Sequence, residues 1–322
     1  MSSKIIIVAG DPNSINSEII YKSFTKTNMK QKKQLYLIAN FDLIVKQFNK
    51  LKFKKKIIQV KDINDYSSSI DLKILDVPLK FKNPFNVSLN NASKYLLDCL
   101  NKAHKLAKYK NVKGIINCPI DKKLIVKFKK KGITEFLATK CGIKDNSEIM
   151  MIHNKKFSVV PLTTHLNIRD VSRQITSKFI IKKINSLNIN FKKIFKKKPK
   201  IGILGLNPHN GEMKNNSEEK LEIYPAISLL RNRNLNVEGP LVADTIFIKD
   251  YKKFDVIVGM YHDQVLAPFK TLFHFNAINL TLGLSYVRVS PDHGPATNLI
   301  GKNKANYLSL LECIKFIYNL KK

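Results

Sequence analysis

Three of the seven histidines stand a few residues beyond apolar runs: His165 closes FSVVPLTTH, His209 closes KIGILGLNPH and His262 closes FDVIVGMYH. Neutral imidazoles suit Zn²⁺ and related divalent ions, and three of them leave a coordination position open for a substrate oxygen. In open α/β sheets the carboxyl ends of strands converge on the ligand crevice, so residues distant in sequence can meet there. Any one of these histidines reads more simply as a polar loop residue; it is the shared placement that points to a site, with YHDQVLAPFK (261–270) as a strand end plus loop that presents His262, Asp263 and Lys270 on one rim. Asp263 beside His262, and Asp244 in LVADTIF, are carboxylates able to orient an imidazole or to act as acid or base, with a cap or turn role as the alternative for each. Lys270 in VLAPFK, Asn279 in AINLTLGL and Arg288 in SYVRV supply the mixture of cations and amide donors that a phosphate or carboxylate requires. Lys270 is one lysine among many, whereas Arg288 is one of five arginines and sits in an apolar run, where a buried structural ion pair is the competing reading.

The runs that would position these residues are KIIIVAG (4–10), QLYLIAN (34–40), KGIINC (113–118), FSVVPLTT (157–164), KIGILGLN (200–207), FDVIVGM (254–260) and AINLTLGL (277–284). Continuous apolar character of this kind predicts strands covered on both faces. Between them, residues 88–110 place Ala92, Leu96, Cys99, Leu100, Ala103 and Leu106 at helical spacing, with Ser88 as N-cap. Residues 170–187 repeat the pattern with Asp170 as cap, and 306–320 predict a terminal helix. Strand alternating with helix predicts α/β layers. Neither an internal repeat nor a linker rich in Gly, Pro or Ser is visible.

The composition narrows the function classes. The chain has 322 residues and a formal net charge of +33, which invites a nucleic-acid reading. Yet only Arg169, Arg173, Arg231, Arg233 and Arg288 among the 57 basic residues carry the bidentate guanidinium that base and phosphate recognition favours. Runs such as FKKIFKKKPK (191–200) therefore read as solvated faces, and no specific nucleic-acid partner is expected. No apolar stretch approaches a membrane span. The five-residue apolar run before Gly10 is too short for a signal peptide, which makes a cytoplasmic protein the expectation. Cys99, Cys118, Cys141 and Cys313 lie far apart, without the paired spacing of a disulfide framework or zinc cluster.

One further stretch, SPDHGPATNLIGKNKAN (290–306), packs Asp292, His293, Gly294 and Gly301 just before a helix, where small residues permit close backbone approach to an anion. No G-x-G-x-x-G fingerprint exists. With these residues in view, the chain resembles the 4-hydroxythreonine-4-phosphate dehydrogenase family of pyridoxal phosphate biosynthesis. The likeness runs in order through AGDPNSINSEI, IINCPIDKK, GITEFLA, TTHLNIRDV, GLNPHNGE, GPLVADTIF, YHDQVLAPFK and NLTLGLSYVRVSPDHGPATNLIGK.

That resemblance implies a two-lobed α/β/α fold of the isocitrate and isopropylmalate dehydrogenase type. The first lobe is expected to comprise 1–112 with 255–322 on the nucleotide side; the second, 113–254, would carry substrate and dimer contacts. It further implies a homodimer with the active site shared between subunits and no membrane partner. The family's metal ligands fall on His165, His209 and His262, its substrate-binding residues on Thr134, Lys270, Asn279 and Arg288, and its nucleotide segment near His293, Gly294 and Asn306. The implied reaction is oxidation of 4-phosphohydroxy-L-threonine by NAD or NADP, with Zn²⁺, or else Co²⁺ or Mg²⁺, as Lewis acid. Its β-keto acid product, 2-amino-3-oxo-4-phosphonooxybutanoate, loses CO₂ to give 3-amino-2-oxopropyl phosphate. Asp244, Asp263 and Lys270 are the candidate catalytic proton acceptors. Two departures stand out. Ile133 occupies the place of the family's His before Thr134, and glycines are lost in PNSINSEI and after Gly211 in NGEMKNNSEE, which predicts altered loops. A sister dehydrogenase acting on another phosphorylated hydroxy acid or a cyclic diol, or a catalytically impaired family member, is the alternative.

Overall fold

The computed structural model describes residues 3–126, 132–143 and 147–321. Contacts divide the chain into two units, residues 1–142 with 284–322 and residues 143–283. The first carries β1 (Lys4–Val8), α1 (Asn16–Lys26), α2 (Met29–Gln34), β2 (Leu35–Ala39), α3 (Phe41–Lys50), β3 (Ile57–Val60), β4 (Leu72–Asp76), α4 (Leu89–Ala107), β5 (Val112–Asn117), α5 (Lys123–Val126) and α6 (Ile133–Lys140). The second carries β6 (Ile149–Asn154), β7 (Phe157–Pro161), α7 (Val171–Gln174), α8 (Ser177–Phe195), β8 (Ile201–Leu204), α9 (Tyr224–Asn232), β9 (Val237–Leu241), α10 (Ala243–Ile246), β10 (Val256–Gly259), α11 (His262–Phe273) and β11 (Ile278–Leu282). The chain then returns to the first unit with β12 (Arg288–Pro291) and α12 (Leu308–Asn319). The first crossing lies one strand later than the sequence expectation of 112, and the second lies two strands later than the expectation of 254. The reason is pairing: β5 is hydrogen-bonded to β1, and β10 lies between β7 and β8.

In the first unit the strand order is β3-β4-β2-β1-β5-β12, with every pair parallel. Alternation along the strands sends Ile6, Val8, Tyr36, Ile38 and Ile115 to one face, where they pack on Tyr95, Leu96, Cys99 and Ala103 of α4. The Ser88 side chain accepts from the Asn91 N–H and caps that helix as expected. On the opposite face α12 lies so close that a Cβ added at Gly114 would sit 3.2 Å from Ile317 Cδ1.

The second unit is ordered β11-β6-β7-β10-β8-β9; β7, β10, β8 and β9 are parallel, while β6 runs antiparallel to both neighbours. One face packs Phe157, Val159, Leu204 and Ile257 against Val265, Leu266 and Phe269 of α11. Helix α8 buries Ile180, Ile184 and Leu187. All seven apolar runs are strands, but two local expectations fail. Asp170 makes no capping bond; the long helix starts instead at Ser177, where the Thr176 hydroxyl accepts from the Phe179 N–H. YHDQVLAPFK, read as a strand end and loop, is mostly α11. Pro268 inside it forfeits one helical N–H, which burial of Val265, Leu266 and Phe269 outweighs. No helix among the described residues is long and apolar enough to cross a membrane.

A buried lysine tests the first unit's packing. Lys73 is wholly buried and donates to the Lys32, Lys33 and Ser69 carbonyls at 3.1, 3.2 and 3.0 Å, closing the last turn of α2. Burial, then the Lys4 ammonium, brings its pKa from 10.5 down to about 8. The folded state therefore releases this proton before the unfolded chain does. The group's contribution to stability is fully present above 10.5 and is lost as pH falls through about 8. Thermal melts across that window should rise in wild type and flatten in Lys73→Met; parallel curves would exclude Lys73 as the cause.

Candidate active site

The three histidines lie just beyond the carboxyl ends of three adjacent parallel strands of the second unit. His165 follows β7, His262 opens α11 directly after β10, and His209 follows β8. Two side chains staple these ends together. The Thr163 hydroxyl donates to the Met260 carbonyl at 2.7 Å, tying the β7 end to the β10 end. Gln264 accepts from the Met260 N–H at 2.7 Å and donates to the Gly205 carbonyl at 2.8 Å, tying the β10 end to the β8 end. A Cβ at Gly259 would sit 2.9 Å from Gln264 Oε1 and 2.5 Å from Val265 Cγ1, so the backbone there leaves no room for a side chain.

His165 and His262 come together, their ring centroids 6.5 Å apart. His262 Nδ1 lies 2.7 Å from Asp263 Oδ1. An ionised carboxylate can only accept, so Nδ1 carries the hydrogen and Nε2 keeps its lone pair for a ligand. This donor pair fits a divalent ion chemically. Among the described residues, however, no group of three or more His, Cys, Asp or Glu side chains is gathered as a metal site. His209 sits in a turn of its own, and the helix bearing the exposed Asp244 packs against that turn. Lys270 is exposed near the end of α11, eight residues beyond His262 and hence about 12 Å further along the helix axis, not beside it.

The His209 turn has unusual geometry. His209, Asn210, Gly211, Glu212 and Met213 all have positive φ, between 49° and 57°, and His165 has φ 53°. Left-handed backbone costs roughly 1–2 kcal/mol per non-glycine residue, so something must hold it. Glu219, an ordinary polar residue in sequence, is that support. Its fully buried carboxylate accepts from the backbone N–H groups of Leu206 and Asn207, both at 2.7 Å, and from Asn207 Nδ2 at 3.0 Å. Asn210 adds a bond to the Pro240 carbonyl. Burial alone would raise the Glu219 carboxyl, but these donated hydrogen bonds hold it below its ordinary 4.5. Glycine loss after Gly211 thus leaves Glu212 and Met213 in strained backbone. In PNSINSEI the glycine loss brings no such strain: Asn13, Ser14, Ile15 and Asn16 have ordinary φ. Asn13 bridges to Val87 through both amide atoms at 2.8 Å, and Asn16 donates to the Ala9 and Pro119 carbonyls.

The remaining candidates divide between the units. Asn279 lies on β11 with a buried Oδ1 that has no hydrogen-bond partner. In the first unit, buried Arg288 on β12 donates from Nε to Asn117 Oδ1 at 2.6 Å, at the carboxyl end of β5. Burial lowers its pKa to about 10 without discharging it at neutral pH. Thr134 is half-buried in the first turn of α6, and Ile133 beside it packs into the α4 core, so the departure there exchanges a polar group for packing. His293 Nδ1 lies 3.0 Å from the Gly294 carbonyl, and Asn306 Oδ1 accepts from the Leu308 N–H at the start of α12. At Gly294 an added Cβ would meet nothing within 4 Å, and its φ is not left-handed. Among the described residues nothing demands glycine there.

Comparison with known proteins bears on this arrangement. The family model described as pyridoxal phosphate biosynthetic protein PdxA matches residues 18–317. A 4-hydroxythreonine-4-phosphate dehydrogenase from Sulfurihydrogenibium sp. is 38% identical over 99% of this chain and 98% of its own length. A D-threonate 4-phosphate dehydrogenase from Cupriavidus necator is 31% identical over 96% and 94%. The crystal structure of 4-hydroxythreonine-4-phosphate dehydrogenase from Klebsiella pneumoniae superposes with a TM-score of 0.86 at 26% identity, covering 98% of this chain and 99% of that one.

Replacing Glu219 tests the support of the strained turn. Because its carboxyl titrates below 4.5 when folded, its contribution is present above 4.5 and is lost as pH falls through the lower folded value. Glu219→Gln should cost about 2 kcal/mol at neutral pH, the range for hydrogen bonds to a charged group, and little in acid. Equal destabilisation in denaturant titrations at neutral and acid pH would contradict this.

Proposed function

Because this chain belongs to the pyridoxal phosphate biosynthetic protein PdxA family and is a dehydrogenase, an oxidoreductase acting on a CH–OH group, we propose that it oxidises 4-phosphohydroxy-L-threonine with NAD or NADP. The product would be 2-amino-3-oxo-4-phosphonooxybutanoate, which decarboxylates to 3-amino-2-oxopropyl phosphate. The observation carrying the reading is the His165 and His262 pair, facing each other at the ends of adjacent strands with Asp263 setting one tautomer. These imidazoles, with His209, are the residues that would hold a divalent ion, Zn²⁺ before Co²⁺ or Mg²⁺. In a homodimer with shared active sites each ion would draw on both subunits. When bound, the nicotinamide supplies the hydride acceptor and the ion a Lewis acid.

The chain's own residues bind and orient. Arg288 offers a guanidinium held in place by its Nε bond to Asn117, and the planar fork of such a group suits a carboxylate or phosphate. Thr134, Lys270 and Asn279 would complete anion and hydroxyl recognition, the Asn279 Oδ1 gaining the donor it lacks. Holding both ends of the substrate orients its C–H for transfer. Asp263 is occupied in orienting His262, so the hydroxyl proton would pass to Asp244 or Lys270. His293, Gly294 and Asn306 would border the nucleotide.

The direct test is NADH formation from 4-phosphohydroxy-L-threonine before and after chelation, with D-threonate 4-phosphate run in parallel. Metal-restored turnover favouring the first substrate is the expected result. Turnover of D-threonate 4-phosphate alone would move the chain to the sister activity, and inactivity toward both would sink the reading. His262→Ala should lose retained metal and lower kcat at least about 100-fold. Arg288→Lys, which keeps the charge but loses the fork, should raise substrate KM about tenfold with a smaller effect on kcat; an unchanged KM would remove Arg288 from the anion site.

A further inference from the structure

The segment from Asp292 to Tyr307 has no strand or α-helix of its own, yet one face of α1 holds its last turn. Glu18, 1% exposed, accepts from the Ala305 N–H at 2.7 Å. One helical turn on, the Lys22 ammonium bonds the same Glu18 oxygen at 2.7 Å and donates to the Asn303 and Ala305 carbonyls at 3.0 and 3.4 Å. Buried Ser23 donates to the Tyr307 carbonyl at 3.2 Å. At the other end of the segment the Asp292 N–H donates to the Ser309 hydroxyl, and the Ile15 N–H, just before α1, donates to the Pro295 carbonyl. Glu18 Oε2 has no hydrogen-bond partner, so this buried carboxylate depends on Ala305 and Lys22 for its compensation.

We propose that Glu18 and Lys22 are positioning residues for the dinucleotide: they keep the 303–307 arm ordered, and so set nucleotide affinity without touching the reacting atoms. The inference rests on the reading of His293, Gly294 and Asn306 as the nucleotide segment. Its physical basis is that a ligand binding only the ordered arm has its apparent Kd raised by the inverse of the ordered fraction. Both polar groups lie one turn apart on α1, so they address one stretch of backbone from a rigid support.

The experiment compares full-length wild type with Lys22→Met, Lys22→Arg and Ser23→Ala by NADH fluorescence titration and by hydrogen exchange at residues 303–308. Lys22→Met is expected to raise the NADH Kd about tenfold and to speed exchange at Ala305, with the kinetic effect falling on nucleotide KM and not on kcat. Lys22→Arg should recover most of the affinity. Ser23→Ala, which loses one bond, should raise Kd about two- to threefold and serves if Lys22→Met does not fold. Faster exchange with wild-type Kd would overturn the clamp while leaving the nucleotide reading intact. Wild-type protein that binds no NADH would overturn both.

Discussion

Parallel pairing of β7, β10 and β8 sends their carboxyl ends to one edge, and the placement of His165, His209 and His262 depends on that constraint. The ladder sets strand register but not the path of the chain beyond the last bond. Thr163 and Gln264 carry the order further, both converging on Met260, so the loops bearing His165, His209 and His262 inherit the rigidity of the sheet. The half-buried Gln264 amide suits this role because its oxygen and its nitrogen are both satisfied by backbone groups of the strand ends.

The His209 turn shows what such positioning costs. Four non-glycine residues in left-handed backbone oppose folding, and the turn survives because Glu219 gathers two backbone N–H groups and one amide N–H from just before it. Hydrogen bonds to a buried charge contribute about 1.5–3 kcal/mol each, comparable to the strain per residue. The AGDPNSINSEI loop reaches a similar end by another route. Asparagine side chains there bond to distant backbone, and no left-handed residue is needed after Gly10.

Charge acts on two scales. A formal net charge of +33 attracts anions in general, with a range limited by salt, and cannot by itself distinguish one phosphorylated acid from another. Arg288 is charge of another kind, a single guanidinium that burial and Asn117 hold in one orientation. Arginine's scarcity in this chain made that position conspicuous.

Periodicity and residue type determined a good deal. Seven continuous apolar runs became strands, because a strand covered on both faces must be apolar at every position, and α4 follows its helical spacing and its Ser88 cap. The histidines at strand ends were legible for the same reason: a polar residue directly after a buried run marks an exposed sheet edge. The antiparallel β6, the helix begun by His262 and the unit boundaries were not legible, since each depends on which strand pairs with which and on whether burial outweighs a proline. Nor could local pattern single out Glu219, Gln264 or Glu18. Each is an ordinary polar residue in sequence, and its importance comes from backbone groups it meets only after folding: 12 residues away for Glu219 and Asn207, 59 for Gln264 and Gly205, and 287 for Glu18 and Ala305. Sequence determined which residues could do chemistry; tertiary structure decided how they are held, because a buried polar group takes its meaning from the partner that compensates it.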